Sequence, residues 1–155
     1  MNKLRPYQQA AVEAAYQYLR TRNDNPCIVL PTGTGKSYVI AKMVSDAVTL
    51  WRGRVLVLAH VKELLEQNHE KIILHAPGID VGIYSAGLNS RDTDAPVIVS
   101  GIQSVYHRAC ELGPFDLVII DEAHLIPLDG EGMYRQFLAD AKVVNPHMRV
   151  IGLTA

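Results

Sequence analysis

The chain has 155 residues, 48% of them hydrophobic and 20% charged, with a net charge of −1. About one domain is expected at that length, and disordered, collagen-like and low-complexity classes are excluded. No overall basic field advertises a polyanion. The charge is uneven, however: the first 75 residues carry ten Lys/Arg against six Asp/Glu, and the remainder five against ten. That asymmetry permits a local polyanion contact from the first half. No apolar run approaches the ~18 residues of a membrane span, and the N-terminus lacks the apolar core of a signal peptide. Cys27 and Cys110 are too few for a disulfide framework and are expected as buried thiols. The expectation is a cytoplasmic chain with no membrane partner, folding as a single domain over 1–155.

In chain order, Pro6 to Arg20 reads as a helix, with Tyr7, Ala11, Ala14, Ala15 and Tyr18 at helical spacing. A polar breaker, Thr21 to Pro26, precedes the short apolar strand Cys27–Leu30 and the glycine-rich turn Pro31–Gly35. Lys36 to about Leu50 reads as a helix burying Val39, Ile40, Met43, Val44 and Ala47; Arg54–His60 is a strand, and Val61 to about His75 a helix. A strand at Val81–Tyr84 leads into a polar loop, Gly87–Pro96, then a strand at Val97–Ser100 and a helical stretch near Ile102–Ala109. Phe115–Asp121 is a strand, Asp129–Gly132 a loop, Met133–Val144 a helix and Val150–Thr154 a last strand. The strands are unbroken apolar runs rather than alternating ones, which implies burial on both faces. The pattern specifies an α/β domain with a mostly parallel central sheet and helices on both faces.

Two segments carry chemistry. Leu30-Pro-Thr-Gly-Thr-Gly-Lys-Ser37 lies between a strand and a helix. In such a loop, the backbone N–H groups of Thr32, Gly33, Thr34 and Gly35 can wrap a β-phosphate, aided by the helix dipole. Lys36 can reach the β- and γ-phosphates, and the Ser37 hydroxyl can ligate Mg²⁺. Leu30 stands where the strict P-loop pattern has a small residue. The second segment is Asp121-Glu122-Ala123-His124, closing the Phe115–Ile120 run. Asp121 is placed to hold the metal and Glu122 to orient or deprotonate the attacking water. Parallel strands deliver both segments to one sheet edge. Together they specify hydrolysis of a nucleoside triphosphate.

Pro-Thr-Gly-Thr-Gly-Lys-Ser followed by Asp-Glu-Ala-His resembles the first RecA-like domain of a superfamily-two helicase or translocase, of the DEAD/DEAH-box type. Leu4-Arg-Pro-Tyr-Gln8 resembles the segment whose glutamine, here Gln8, reads the adenine edge. Ala59-His-Val-Lys-Glu-Leu64 and Ser100-Gly-Ile-Gln-Ser104 resemble motifs that touch nucleic-acid phosphates. They nominate His60, Lys62, Ser100, Gln103 and Ser104, on a rim opposite the nucleotide. Gly152-Leu-Thr-Ala155 resembles the start of the motif coupling ATP state to nucleic-acid grip, and assigns that role to Thr154 and Ala155, with His124 bonding across the cleft. Within the superfamily the wording is most similar to RadD-like and type III restriction-subunit-like ATPases. The resemblance implies ATP and Mg²⁺ as cofactors, and nucleic acid, with DNA favoured over RNA, as partner. It also implies a second RecA-like domain of the same parent chain; the sequence stops directly after an apolar strand, so a fragment is expected. The isolated piece is then expected to bind nucleotide weakly and hydrolyse it slowly. The competing readings are a P-loop kinase or GTPase and a nucleotide-regulated interaction module. The chain has no Asn-Lys-x-Asp guanine reader and only four arginines in its second half.

Overall fold

The computed structural model describes residues 4–30, 35–123 and 131–154. Its elements follow the expected alternation: α1 (Pro6–Thr21), β1 (Cys27–Val29), α2 (Lys36–Thr49), β2 (Val55–Ala59), α3 (Lys62–His75), β3 (Val81–Ser85) and β4 (Ser90–Arg91), then β5 (Val97–Gly101), α4 (Ile102–Val105), α5 (Ala109–Leu112), β6 (Leu117–Ile120), α6 (Glu131–Val144) and β7 (Arg149–Thr154). They build a seven-stranded sheet in the order β1-β7-β6-β2-β5-β3-β4. Every pairing is parallel except the short β3–β4 one.

The unbroken apolar runs are buried on both sides, as their composition requires. In β2, Val55, Val57 and Ala59 join one core with α1, α2 and α3, whereas Leu56 and Leu58 join a second core with α4, α5 and α6. Each such Val or Leu contributes roughly 1.5–3 kcal/mol on leaving water. Two arginines stitch the layers at the opposite edge from the site. Arg54 donates to the carbonyls of Leu112 and Thr93 at 2.8 and 2.7 Å and lies 4.5 Å over the Phe115 ring. Arg149 donates to the carbonyls of Leu19, Arg22 and Asp24, tying the end of α1 to β7.

Several local expectations are corrected. The buried stripe of α1 is Gln8, Val12 and Ala15, one residue round from the tyrosine-flanked face. The tyrosines stay at its margins because their hydroxyls need polar partners: Tyr16 donates to Asp46 at 2.8 Å and Tyr18 to Asp24 at 2.6 Å. The helical stretch after β5 is two four-residue turns rather than one helix. The polar loop before β5 contains β4, which pairs antiparallel with β3. Both cysteines are exposed. Cys27 sits on the edge strand β1, on the sheet face where its neighbour Val29 is also uncovered (65% exposed). Partial burial pushes its thiol up, away from a reactive thiolate. Among the described residues no helix is long and apolar enough to cross a membrane.

Candidate nucleotide site

Because β1, β7, β6, β2 and β5 are all parallel, their C-terminal ends share one sheet edge. The candidate nucleotide residues gather there. Gly35 caps α2 in the left-handed region, with φ +76°, a conformation that suits glycine. Its carbonyl accepts hydrogen bonds from Tyr38 N–H at 3.0 Å and from Gln8 Nε2 at 3.3 Å. Gln8 is 4% exposed, and its Oε1 accepts from the Arg5 N–H at 2.9 Å. The amide thus joins the start of α1 to the start of α2. A Cβ at Gly35 would run into the Gln8 amide nitrogen and stand 3.1 Å from the Tyr38 ring. Gly35→Ala is therefore expected to destabilise the chain by about 2 kcal/mol, about half of it from the left-handed backbone. A urea melt measures this, and an unchanged midpoint would show that the loop relaxes freely.

Lys36 opens α2, and its ammonium lies 3.0 Å from Asp121 Oδ1 and ion-pairs with Glu122. Asp121 directly follows β6, where its N–H extends the ladder to the Leu58 carbonyl at 2.9 Å. Its side chain is 3% exposed. Asn68, on α3, donates Nδ2 to Asp121 Oδ2 at 3.0 Å. Among the described residues Oδ1 takes no directed hydrogen bond, and it has the Lys36 charge as its counterpart. Glu122 has φ +52°, a left-handed setting that costs a side-chain-bearing residue roughly 1 kcal/mol and persists where the surroundings fix it. The turn brings its carboxylate to Lys36. From the other helical layer, Tyr134 on α6 is 4% exposed, and its hydroxyl has no partner among the described residues. Burial, followed by the Asp121 charge, raises its pKa. Ser37 is half-buried beside Lys36.

Thr154 ends β7 opposite Val29, and its carbonyl accepts the Leu30 N–H at 2.9 Å. The strand carrying the coupling motif therefore abuts the strand that enters the loop. Thr32, Gly33, Thr34, His124 and Ala155 lie outside the described residues.

The nominated polymer contacts lie farther along this same edge, past β2 and β5, rather than on an opposite rim. Gln103 Nε2 donates to the His60 carbonyl at 3.0 Å, and Ser104 Oγ accepts the Ala86 N–H at 3.1 Å. Lys62, the exposed first residue of α3, makes a long pair with Glu66 at 4.0 Å, a contact of small energetic weight. Ser100 departs from the set: it is 0% exposed and its hydroxyl donates to the Tyr84 carbonyl at 2.6 Å. It fastens β5 to β3 and presents no side chain to a polymer.

Sequence reasoning passed over Asn68 and Tyr134. A signal existed for the first. Leu65, Asn68, Ile72 and His75 form the buried stripe of α3, so an amide occupies a position that helical spacing reserves for the core. His75, at the end of that stripe, stacks on Tyr38 of α2 with ring centroids 4.0 Å apart. Burial, with Lys71 nearby, lowers the pKa of His75 and favours the neutral ring.

The family described as "Type III restriction enzyme, res subunit" matches residues 1–155. The chain belongs to this family. It has the RecA-like fold of the ATP-binding motor domain of superfamily-two helicases and translocases. This res-subunit-type domain is 34% identical over 154 residues to a DNA 3'-5' translocase, XPB2, of Sulfurisphaera tokodaii, covering 99% of the chain and 30% of that protein. Two solved structures share its fold. The UvsW helicase of bacteriophage T4 gives a TM-score of 0.75 at 21% identity, over 99% of the chain and 52% of that one. The Sulfolobus solfataricus SWI2/SNF2 ATPase core in complex with dsDNA gives 0.74 at 18%, over 99% and 32%. The res-subunit-type domain thus spans about half, or less, of each.

Proposed function

We propose that this domain binds ATP with Mg²⁺ at the α2 N-terminus and hydrolyses it as the motor of a nucleic-acid-dependent translocase or helicase. The observation that carries the reading is the placing of one ammonium, Lys36, between two carboxylates, Asp121 and Glu122, from a neighbouring strand end. A cation at a helix start suits phosphate oxygens. Asp121 and Ser37 form a hard oxygen donor set of the kind Mg²⁺ takes, and the buried Asp121 Oδ1 lacks a directed hydrogen bond among the described residues. Mg²⁺ would supply charge neutralisation for the transferring phosphoryl group. Glu122 would orient or deprotonate water, Lys36 would hold the phosphates, and Gln8, bonded beside Gly35, would meet the adenine edge.

Nucleic acid would lie along the rim formed by His60, Lys62, Gln103 and Ser104, where side-chain hydroxyl, amide and ammonium groups suit phosphates rather than bases. DNA is favoured over RNA, in keeping with the similarity to a DNA translocase and to an ATPase core held on dsDNA. In this reading a second RecA-like domain of the parent chain closes over the site and supplies arginine. An arginine finger contributes about 10³–10⁵ in rate, so 1–155 alone would turn over slowly.

Titration with fluorescent ATP and GTP tests the base assignment. Losing one or two amide hydrogen bonds is worth about tenfold in affinity. ATP is expected to bind about that much more tightly than GTP, and Gln8→Ala to erase the difference. Equal affinities in the parent chain would remove Gln8 from the base site.

A further inference from the structure

Asp121 is held from a direction that none of the motifs supplies. Its Oδ2 accepts the Nδ2–H of Asn68 at 3.0 Å, and both side chains are buried, Asn68 at 6% and Asp121 at 2% exposed. Asn68 occupies the core stripe of α3 between Leu65 and Ile72. A leucine there would add apolar burial, so the amide forgoes stabilisation that its neighbours collect. The hydrogen bond it makes instead is with a charged acceptor, which makes it one of the stronger kinds.

The bond also sets an orientation. A carboxylate at the end of a strand has two further torsions, and the ammonium of Lys36, a point charge on a flexible stem, does not fix them. Asn68 fixes them by holding Oδ2 toward α3, which leaves Oδ1 on the Lys36 side, 3.0 Å from its Nζ. We propose that Asn68 is the positioning residue for Asp121: it holds the carboxylate so that Oδ1 alone is presented to the divalent cation accompanying the nucleotide. The inference rests on the nucleotide reading given above and assigns a partner that holds its acid. Groups that orient a metal-binding carboxylate are typically worth 10–100-fold in metal affinity.

The experiment separates the metal from the nucleotide. Binding of fluorescent ADP is measured with Mg²⁺ and with a chelator, on the parent chain and on Asn68→Leu. The leucine has the same branching and the same number of side-chain heavy atoms, so the stripe stays filled, and a cooperative thermal melt establishes folding. The expected result is that the strengthening of ADP binding by Mg²⁺ falls about tenfold or more, while metal-free ADP affinity is unchanged. A residue that merely packs α3 would lower both affinities together, and that outcome overturns the proposal. So does an Mg²⁺ effect equal to that of the parent. If Asn68→Leu gives no cooperative melt, Asn68→Ala is measured on the same split, and the same two outcomes overturn the proposal. Should the parent itself show no Mg²⁺-dependent ADP binding, the nucleotide reading fails and this inference with it. Should the parent show it and the variant match it, only the role of Asn68 fails.

Discussion

Lys36→Ala is expected to lower affinity for Mg²⁺-nucleotide by at least about 100-fold, which in practice abolishes binding in a titration. A charge-assisted hydrogen bond is worth about 1.5–3 kcal/mol, and an ammonium serving two phosphates makes more than one. The substitution acts on the free protein too. Asp121 is buried at 3% side-chain exposure, and Lys36 is the cation facing its Oδ1. Truncating that cation leaves a buried carboxylate with Asn68 as its side-chain hydrogen-bond donor, at a cost of about 1–3 kcal/mol. That is less than for a fully buried pair, because Lys36 is 19% exposed and water replaces part of its charge. The two effects are read separately, nucleotide affinity by fluorescence and stability by a urea melt of the free protein. A variant that bound Mg²⁺-nucleotide like the parent would remove the triphosphate from this end of the sheet.

The features legible in the sequence are those fixed by local physics. A run such as Val55–Ala59 can only be a strand buried on both faces, and parallel strands then deliver Gly35, Lys36, Asp121 and Thr154 to one edge. The contact of Lys36 with both acids follows from that geometry. What was not legible depends on which neighbour lies across the sheet. Ser100 ends an apolar strand and reads as a rim residue. Only the register of β3 against β5, Tyr84 opposite Ser100, shows that its hydroxyl is taken up inside the sheet. Asn68 reads as one polar residue in an amphipathic helix, and its partner lies 53 positions away. Cys27 belongs to a short apolar run, but on the edge strand β1 the sheet face it shares with Val29 is left uncovered, so its side chain stays exposed. Local pattern identifies elements and their buried faces; strand order and register decide which polar groups meet.

Glu122→Gln is expected to separate binding from turnover. The amide has the volume of the acid and tolerates the φ +52° backbone of that turn equally well. It cannot take a proton from water, and loss of a general base typically costs 10²–10⁴ in rate. Nucleotide affinity should survive and rise modestly. In the free protein Lys36 ion-pairs with both Asp121 and Glu122, so phosphate oxygens must compete with two carboxylates for one ammonium. Neutralising Glu122 removes one competitor and leaves Asp121, which Asn68 holds by its other oxygen. The measurement is a pair of assays on the parent protein with nucleic acid added: fluorescent nucleotide binding and single-turnover phosphate release. Retained binding with release slowed at least about 100-fold assigns the proton transfer to Glu122. Release at the parental rate would exclude Glu122 as the base, and equal loss of binding and release would make it a phosphate-site residue instead.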